Sequence, residues 1–291
     1  MTSKNLLTQS TTPLSAERTL ELLNGSYPYI YQSENGIQLT AYCFFPEGHQ
    51  PTQSAASPPD LVLLPAIVFF HGGLWDVAMV TQFSPHAMHF ASRGMIAIVV
   101  EYRVESLHQS SPEDSFEDAQ MAMQWLRHNH AELGIDPQRI IAAGAAAGAY
   151  MALSLAMRKK LPVIDGYNSQ PQAVIAISAV VSTHRRSIDL KRFPNAKQST
   201  RNNPYLTVRR KLPPCLLVHG KSDTIAPHYL VEDFTKKMRR KRNQCELIDF
   251  DACNHSFFNF NVSPKHFEIT LNTMDAFICQ LGYIEPMDYS L

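Results

Sequence analysis

Residues 144–148 read Gly-Ala-Ala-Ala-Gly, preceded by the apolar run Ile140-Ile141-Ala142-Ala143 and followed by an Ala-, Leu- and Met-rich stretch. Two glycines flanking three small residues permit a sharp strand-to-helix turn that lifts the central side chain above a sheet. A serine at that point would be placed for attack on an acyl carbon. The central residue is Ala146, so the turn is present and the nucleophile is missing.

Three further pieces follow the order that acyl-transfer chemistry on such a turn requires. His71-Gly72-Gly73 comes directly after the apolar run 67–70. Glycines there let backbone N–H groups approach and polarise a carbonyl oxygen, and the Ala147 N–H completes an expected oxyanion hole of Gly72, Gly73 and Ala147. His219-Gly220-Lys221-Ser222-Asp223 ends another apolar run, and Asp223 is the candidate acid. Asn254-His255-Ser256-Phe257-Phe258 follows the last strand-like run, and His255 is the candidate base. In a working site the histidine takes the nucleophile's proton while the aspartate fixes its tautomer and stabilises its charged form. Each piece alone has a structural explanation, as a tight turn, a helix cap or a satisfied polar side chain. Their joint occurrence at strand ends, in order, is much harder to obtain by accident. Leu74, Trp75 and Phe257 are the candidate substrate-pocket residues, with Phe258 beside them.

These residues need a sheet whose strands all end on one side. Apolar runs at 64–70, 96–100, 140–143, 173–178, 215–219 and 245–250 alternate with helix-like segments, notably 115–133 and 147–160. That alternation predicts an α/β fold: a mostly parallel central sheet with helices on both faces. Residues 27–31 and 37–45 read as two earlier strands, and Pro28 favours a sheet edge for the first. Residues 1–25 read as an N-terminal extension ending in a short helix over 15–23, and 26–285 as a single domain. The 183–211 segment breaks the alternation. It holds nine basic residues (Arg185, Arg186, Lys191, Arg192, Lys197, Arg201, Arg209, Arg210, Lys211) against Asp189, a net +8 that leaves −8 elsewhere. It reads as a cap-like insertion over the strand ends, and clustered cations beside a concave site favour an anionic substrate.

Bulk composition narrows the classes. With 26 basic and 26 acidic residues, the chain gives no global reason to expect nucleic-acid or membrane binding. Five scattered cysteines (43, 215, 245, 253, 279) lack paired ligand spacing, so they predict neither metal nor disulfides and suggest a cytoplasmic protein. The basic run from Lys236 to Arg242 reads as a solvated helix end.

Over residues 60–282 the chain resembles the acetyl-esterase/lipase-type α/β-hydrolases, a group that includes acetylxylan and feruloyl esterases and relatives of arylformamidase. The resemblance rests on Glu101-Tyr102-Arg103 and on residues 111–140, 212–223 and 243–259. It implies the α/β-hydrolase fold and cleavage of short-acyl carboxylic esters of small molecules, with no metal or organic cofactor. Three departures stand out. His71-Gly72-Gly73-Leu74-Trp75 has leucine where a third glycine is commoner, Asn254 and Ser256 flank His255 where glycines are usual, and Ala146 replaces serine. The first two reshape a pocket. The third removes the covalent step, which in a serine protease costs about 10⁶ in turnover.

Two origins fit the alanine: a Ser→Ala replacement in an active esterase, or a chain that lost or repurposed its nucleophile. In the second case the protein is either a non-hydrolytic enzyme using the Asp223–His255 acid/base pair, of lyase, cyclase or isomerase type, or a small-molecule-binding pseudoenzyme.

Overall fold

The computed structural model describes residues 16–34, 36–49, 51, 62–183 and 203–287. Within them eight strands form one sheet: β1 (Tyr27–Glu34), β2 (Ile37–Phe44), β3 (Leu64–Phe70), β4 (Ile96–Val100), β5 (Ile135–Ala145), β6 (Ala173–Ile177), β7 (Cys215–Gly220) and β8 (Cys245–Phe250). Their spatial order is β1-β2-β4-β3-β5-β6-β7-β8. The β1–β2 and β2–β4 pairs are antiparallel; every pair from β4 onward is parallel. Pro28 lies in β1 at the sheet edge, where its missing N–H disrupts no interior ladder.

The central strands are buried on both faces, which explains why they read as continuous apolar runs rather than alternating ones. Side chains such as Val68, Ile98 and Ala142 pack on one face with α3 (Pro112–His128), α4 (Ala147–Met157) and α5 (His228–Arg240). Ile67, Phe69 and Ile141 pack on the other with α2 (Ser84–Ser92) and α6 (Pro264–Gln280). A seven-residue helix, α1 (Ala16–Leu22), precedes β1. It matches the short helix expected at 15–23, while residues 1–15 lie outside the described residues.

Element boundaries differ from the sequence pattern for identifiable reasons. α3 starts at Pro112 rather than 115, because Ser111 and Asp114 form a reciprocal capping box with Pro112 in the first turn. It stops at His128, and a separate single turn covers His130–Leu133. α4 has all eleven residues buried, so no amphipathic stripe marks its end, which comes at Met157 rather than 160.

Of the basic insertion, Arg185, Arg186, Lys191, Arg192, Lys197 and Arg201 lie outside the described residues. Arg209, Arg210 and Lys211 are described, and they lead into the N-terminal end of β7. The Asn243 side chain pins this stretch by donating to Arg209 O (2.7 Å) and accepting from Leu212 N (3.0 Å). These three cations therefore lie away from the C-terminal strand ends that a cap would cover. Among the described residues no helix is long and apolar enough to cross a membrane.

Candidate active site

The 144–148 turn joins β5 to α4. Ala146 has φ 50° and ψ −108°, a left-handed conformation that costs a side-chain-bearing residue about 1–3 kcal/mol. The turn is held by Ala146 N donating to Ile177 O (3.1 Å) and Tyr150 N donating to Ala146 O (3.0 Å). The flanking glycines are sterically required. A Cβ on Gly148 would lie 1.9 Å from Phe70 O, and one on Gly144 would lie 2.6 Å from the same oxygen. The strain that presents a nucleophile is thus retained without the nucleophile.

The oxyanion loop leaves β3 at Phe70. His71 is buried, stacks on Tyr102 (centroids 4.1 Å apart) and donates from Nδ1 to Gly72 O (2.7 Å). Burial pulls its pKa down to about 4, a little offset by the backbone bond to Gly72, so the ring is neutral at pH 7. Tyr102 OH donates to the carbonyls of His71 (2.8 Å) and Gly72 (3.0 Å). Gly73 (φ 95°), Leu74 (52°) and Trp75 (62°) continue in left-handed conformations. Glycine is needed at 73, where a Cβ would lie 2.3 Å from Val77 O.

Asp223 follows the end of β7. Its Oδ1 accepts from Ile225 N and Ala226 N, both at 2.9 Å. Its Oδ2 lies 2.8 Å from His255 Nδ1 and 3.3 Å from His219 Nε2. Burial alone would raise the carboxyl, but hydrogen bonds from His219, His255 and the Ala226 N–H outweigh it and hold the group well below its ordinary range. Asp223 is therefore an anion that keeps the proton on His255 Nδ1 and leaves Nε2 as the acceptor. The His255 loop packs against β7 at Gly220, where a Cβ would lie 2.4 Å from Cys253 O. Ser222 N donates to that same oxygen (3.0 Å).

These segments converge on one cavity of ≈ 40 Å³, lined by Gly72, Gly73, Leu74, Ala146, His255 and Phe258 among others. Its volume suits a few non-hydrogen atoms. Trp75 and Phe257, expected in the pocket, are core residues instead. Trp75 is 1% exposed and sits edge-on to Tyr150, and Phe257 packs on Phe250 with centroids 4.7 Å apart. The expected donor Gly72 N–H is also already engaged, giving its hydrogen to Gln82 Oε1 (2.7 Å). Among the described residues, Gly73 N and Ala147 N take part in no turn, loop or side-chain hydrogen bond.

Sequence reasoning missed Gln82, Asn259 and Ser178. Gln82 Nε2 donates to Asn259 Oδ1 (3.1 Å), and Asn259 Nδ2 donates to Ser256 O (3.0 Å), so a chain of amides joins the oxyanion loop to the base loop. Polar residues in unpatterned loops carry no sequence signal for such a contact. His219, a 0%-exposed neighbour of Asp223, lies inside the strand-end motif 219–223, where nothing in the sequence marks it as a partner of the acid.

The BD-FAE family model matches residues 58–238, more than half of the chain. The chain belongs to the BD-FAE family. Among solved structures, this BD-FAE chain is similar to Thermogutta terrifontis esterase 2 phosphoramylated by tabun, at 32% identity and TM-score 0.83 over 91% of this chain and 98% of that one. It is similar to isoprenylcysteine alpha-carbonyl methylesterase ICME of Arabidopsis thaliana, at 24% identity over 218 residues, 67% of this chain and 51% of that protein. Esterase LipC of Mycobacterium tuberculosis is 24% identical over 217 residues, 66% of this chain and 53% of LipC. The chain thus spans about half the length of these two curated relatives. Fold and family are those of an esterase-type α/β-hydrolase.

Proposed function

We propose that the cavity is a short-acyl carboxylic-ester site in which ligand recognition is retained and the acyl-transfer step is blocked by Ala146. The observation that carries this reading is that His255, paired with Asp223 at 2.8 Å, lines the same ≈ 40 Å³ cavity as Ala146. With a serine at 146, His255 Nε2 would take the hydroxyl proton as the oxygen attacks the acyl carbon. Gly73 N–H and Ala147 N–H would stabilise the resulting oxyanion, and His255 would return the proton to the departing alcohol. With alanine there is no oxygen to form that bond. Two structures of Thermogutta terrifontis esterase 2 carry propionate and butyrate, which supports an acyl group of that size here.

Ala146→Ser is the test. Hydrolysis of p-nitrophenyl acetate or propionate is expected to rise at least about 10³-fold, well within what a nucleophile contributes. A folded serine variant as inert as the parent sinks the reading.

A second reading keeps His255 as a general base without a nucleophile, in a lyase, cyclase or isomerase reaction. The same intact acid/base pair favours it. It requires a native turnover that His255→Ala abolishes and that Ala146→Ser does not create.

The small cavity suits a small-molecule ester or its carboxylate product, rather than nucleic acid or a membrane surface, as the ligand.

A further inference from the structure

At the opposite end of the same strands from Ala146, the chain carries a second and larger concavity. Gln172 immediately precedes β6 and Pro213 comes just before β7, whereas Ala146 and Asp223 follow the C-terminal ends of β5 and β7. Between the 168–172 loop and residues 211–213 lies an open depression of ≈ 370 Å³, with Asn168, Gln170, Gln172 and Lys211 in its wall. That volume falls within the roughly 300–1,000 Å³ of small-molecule sites. The loop is held from beneath by Arg127 of α3. Its Nη1 donates to Asn168 O (3.1 Å), and its Nη2 donates to Gln170 O (2.6 Å) and Gln172 Oε1 (3.2 Å). Arg127 is 4% exposed, and among the described residues its guanidinium meets these neutral oxygens and no carboxylate. Burial pulls its pKa from 12.5 to about 10, so the charge persists at pH 7. A buried cation is ordinarily paired with an acid, and one without such a partner leaves a positive field beside the depression.

The wall amides are oriented to match. Asn168 Oδ1 accepts from Gln170 N (3.0 Å), and Gln172 Oε1 accepts from Ile140 N (3.2 Å) as well as from Arg127. Both oxygens are engaged, while Asn168 Nδ2 and Gln172 Nε2 have no protein acceptor among the described residues. Across from them Lys211 is exposed, and Arg209 and Arg210 precede it in a stretch, 203–217, that contains no acid. The Asn243 side chain fixes that stretch next to the exposed cations at 239–242, where α5 ends. A helix C-terminus attracts cations and accounts for the second group. It does not account for the first.

An ammonium and two amide N–H groups around one depression, backed by a buried guanidinium and with the neighbouring amide oxygens engaged, favour an anion and disfavour a cation. We propose that this depression is a second ligand site, separate from the Ala146 cavity, for a phosphoryl group, free or carried on a small molecule. Several cations around one concavity suit a dianionic phosphoryl group better than a single carboxylate, and the volume leaves room for the molecule that carries it. The site lies at the other strand ends, so it neither needs a serine at 146 nor rests on the short-acyl reading. The competing role is a solvated basic face, which attracts anions diffusely and without regard to Asn168.

Isothermal titration calorimetry on the full chain at low ionic strength, with inorganic phosphate and glucose 6-phosphate as probes, separates the two roles. Saturable binding at one site is expected, weakening as salt rises. Asn168→Asp keeps the oxygen that Gln170 N uses and turns the free donor into an anion. It is expected to weaken binding of both probes at least about tenfold, since a charge-assisted bond is replaced by repulsion. Lys211→Gln is expected to weaken binding several-fold. Lys265→Gln removes the same charge from an exposed position on α6, across the sheet, and is expected to change nothing. Tighter binding of glucose 6-phosphate than of phosphate assigns the site to a phosphate monoester, and equal affinity assigns it to free phosphate. Absence of saturable binding for both probes overturns the proposal, as does binding that survives Asn168→Asp or falls equally in Lys265→Gln. Should Asn168→Asp not fold, unchanged binding in Lys211→Gln overturns it.

Discussion

Ser178 Oγ donates a 2.8 Å hydrogen bond to the carbonyl oxygen of His255, seventy-seven residues away in the chain. Ser178 stands just past β6 at φ 45°, and its own N–H donates to Val218 O at 2.9 Å. One buried serine thereby ties the ends of β6 and β7 to the loop that carries the candidate base. Ser178→Ala removes this donor, and a loss of about 1 kcal/mol is expected for a half-buried acceptor left without it. In the Ala146→Ser background it is expected to lower kcat several-fold with little change in KM, because the base is displaced while the cavity is not. Urea denaturation and steady-state kinetics check both. An unchanged denaturation midpoint would show that the bond holds nothing.

Gly148→Ala tests the elbow. The added methyl would meet Phe70 O at 1.9 Å and His71 O at 2.5 Å, both backbone atoms that cannot rotate away. Strand β3 or helix α4 must move, and overpacking of this kind costs about 1–3 kcal/mol, more where backbone is displaced. The variant is expected to be strongly destabilised or insoluble. Thermal unfolding decides it, and a midpoint within a degree of the parent would contradict the packing described.

These two contacts mark the limit of what the sequence discloses. The α/β alternation, the Gly144–Gly148 turn, Asp223 and His255 were legible because each follows a local rule: an apolar run, a glycine required by close approach, an acid or base just past a strand. Gly72 was legible as a loop glycine, but the engagement of its N–H by Gln82 was not, since that bond depends on how a 3₁₀ turn packs over β3. Trp75 and Phe257 were misplaced for a related reason. An aromatic beside a catalytic loop fits a pocket wall or a core equally well, and only the position of Tyr150 or Phe250 settles which. Ser178 looked like a strand end, and its partner lies in a loop no local pattern connects to it.

Ala146→Gly separates strain from chemistry. Glycine adopts φ 50° without penalty, so the variant recovers part of the 1–3 kcal/mol stored at that residue. It gives up roughly 0.5–1 kcal/mol through the greater freedom of glycine in the unfolded chain. A net gain of up to about 2 kcal/mol is expected, read as a higher denaturation midpoint. Ala146→Ser, which keeps a Cβ, is expected to leave the midpoint close to the parent. A destabilised Ala146→Gly would show that the turn is not strained in the folded chain.

The steepest acid sensitivity is expected from two histidines. His86 is 1% exposed, with neither ring nitrogen hydrogen-bonded among the described residues, and it packs edge-on against Phe83 (5.0 Å) and Phe267 (4.8 Å). Burial, with a smaller contribution from His89, pulls its pKa from 6.5 to about 3, and burial takes His71 from 6.5 to about 4. The sign follows from proton counts. Between those values and 6.5 the unfolded chain binds protons at both sites and the folded chain does not. Stability is therefore complete above the unfolded value and falls as pH drops below it, at about 1.4 kcal/mol per pH unit for each such histidine. Asp223 and Asp275, both held below the ordinary carboxyl value of 3.8, begin to cost stability only as pH falls toward that value, so the upper part of the histidine window is free of them. His86→Leu removes one titrating site and fills an aromatic cage with an apolar side chain. Between pH 6 and 4.5, as an approximate working range, the slope of unfolding free energy against pH is expected to fall by about 1.4 kcal/mol per unit relative to the parent. Denaturant titrations at several pH values measure both slopes. Equal slopes in the two proteins would mean that His86 gains its proton in the folded state as readily as in the unfolded one, and the neutral buried imidazole would have to be abandoned.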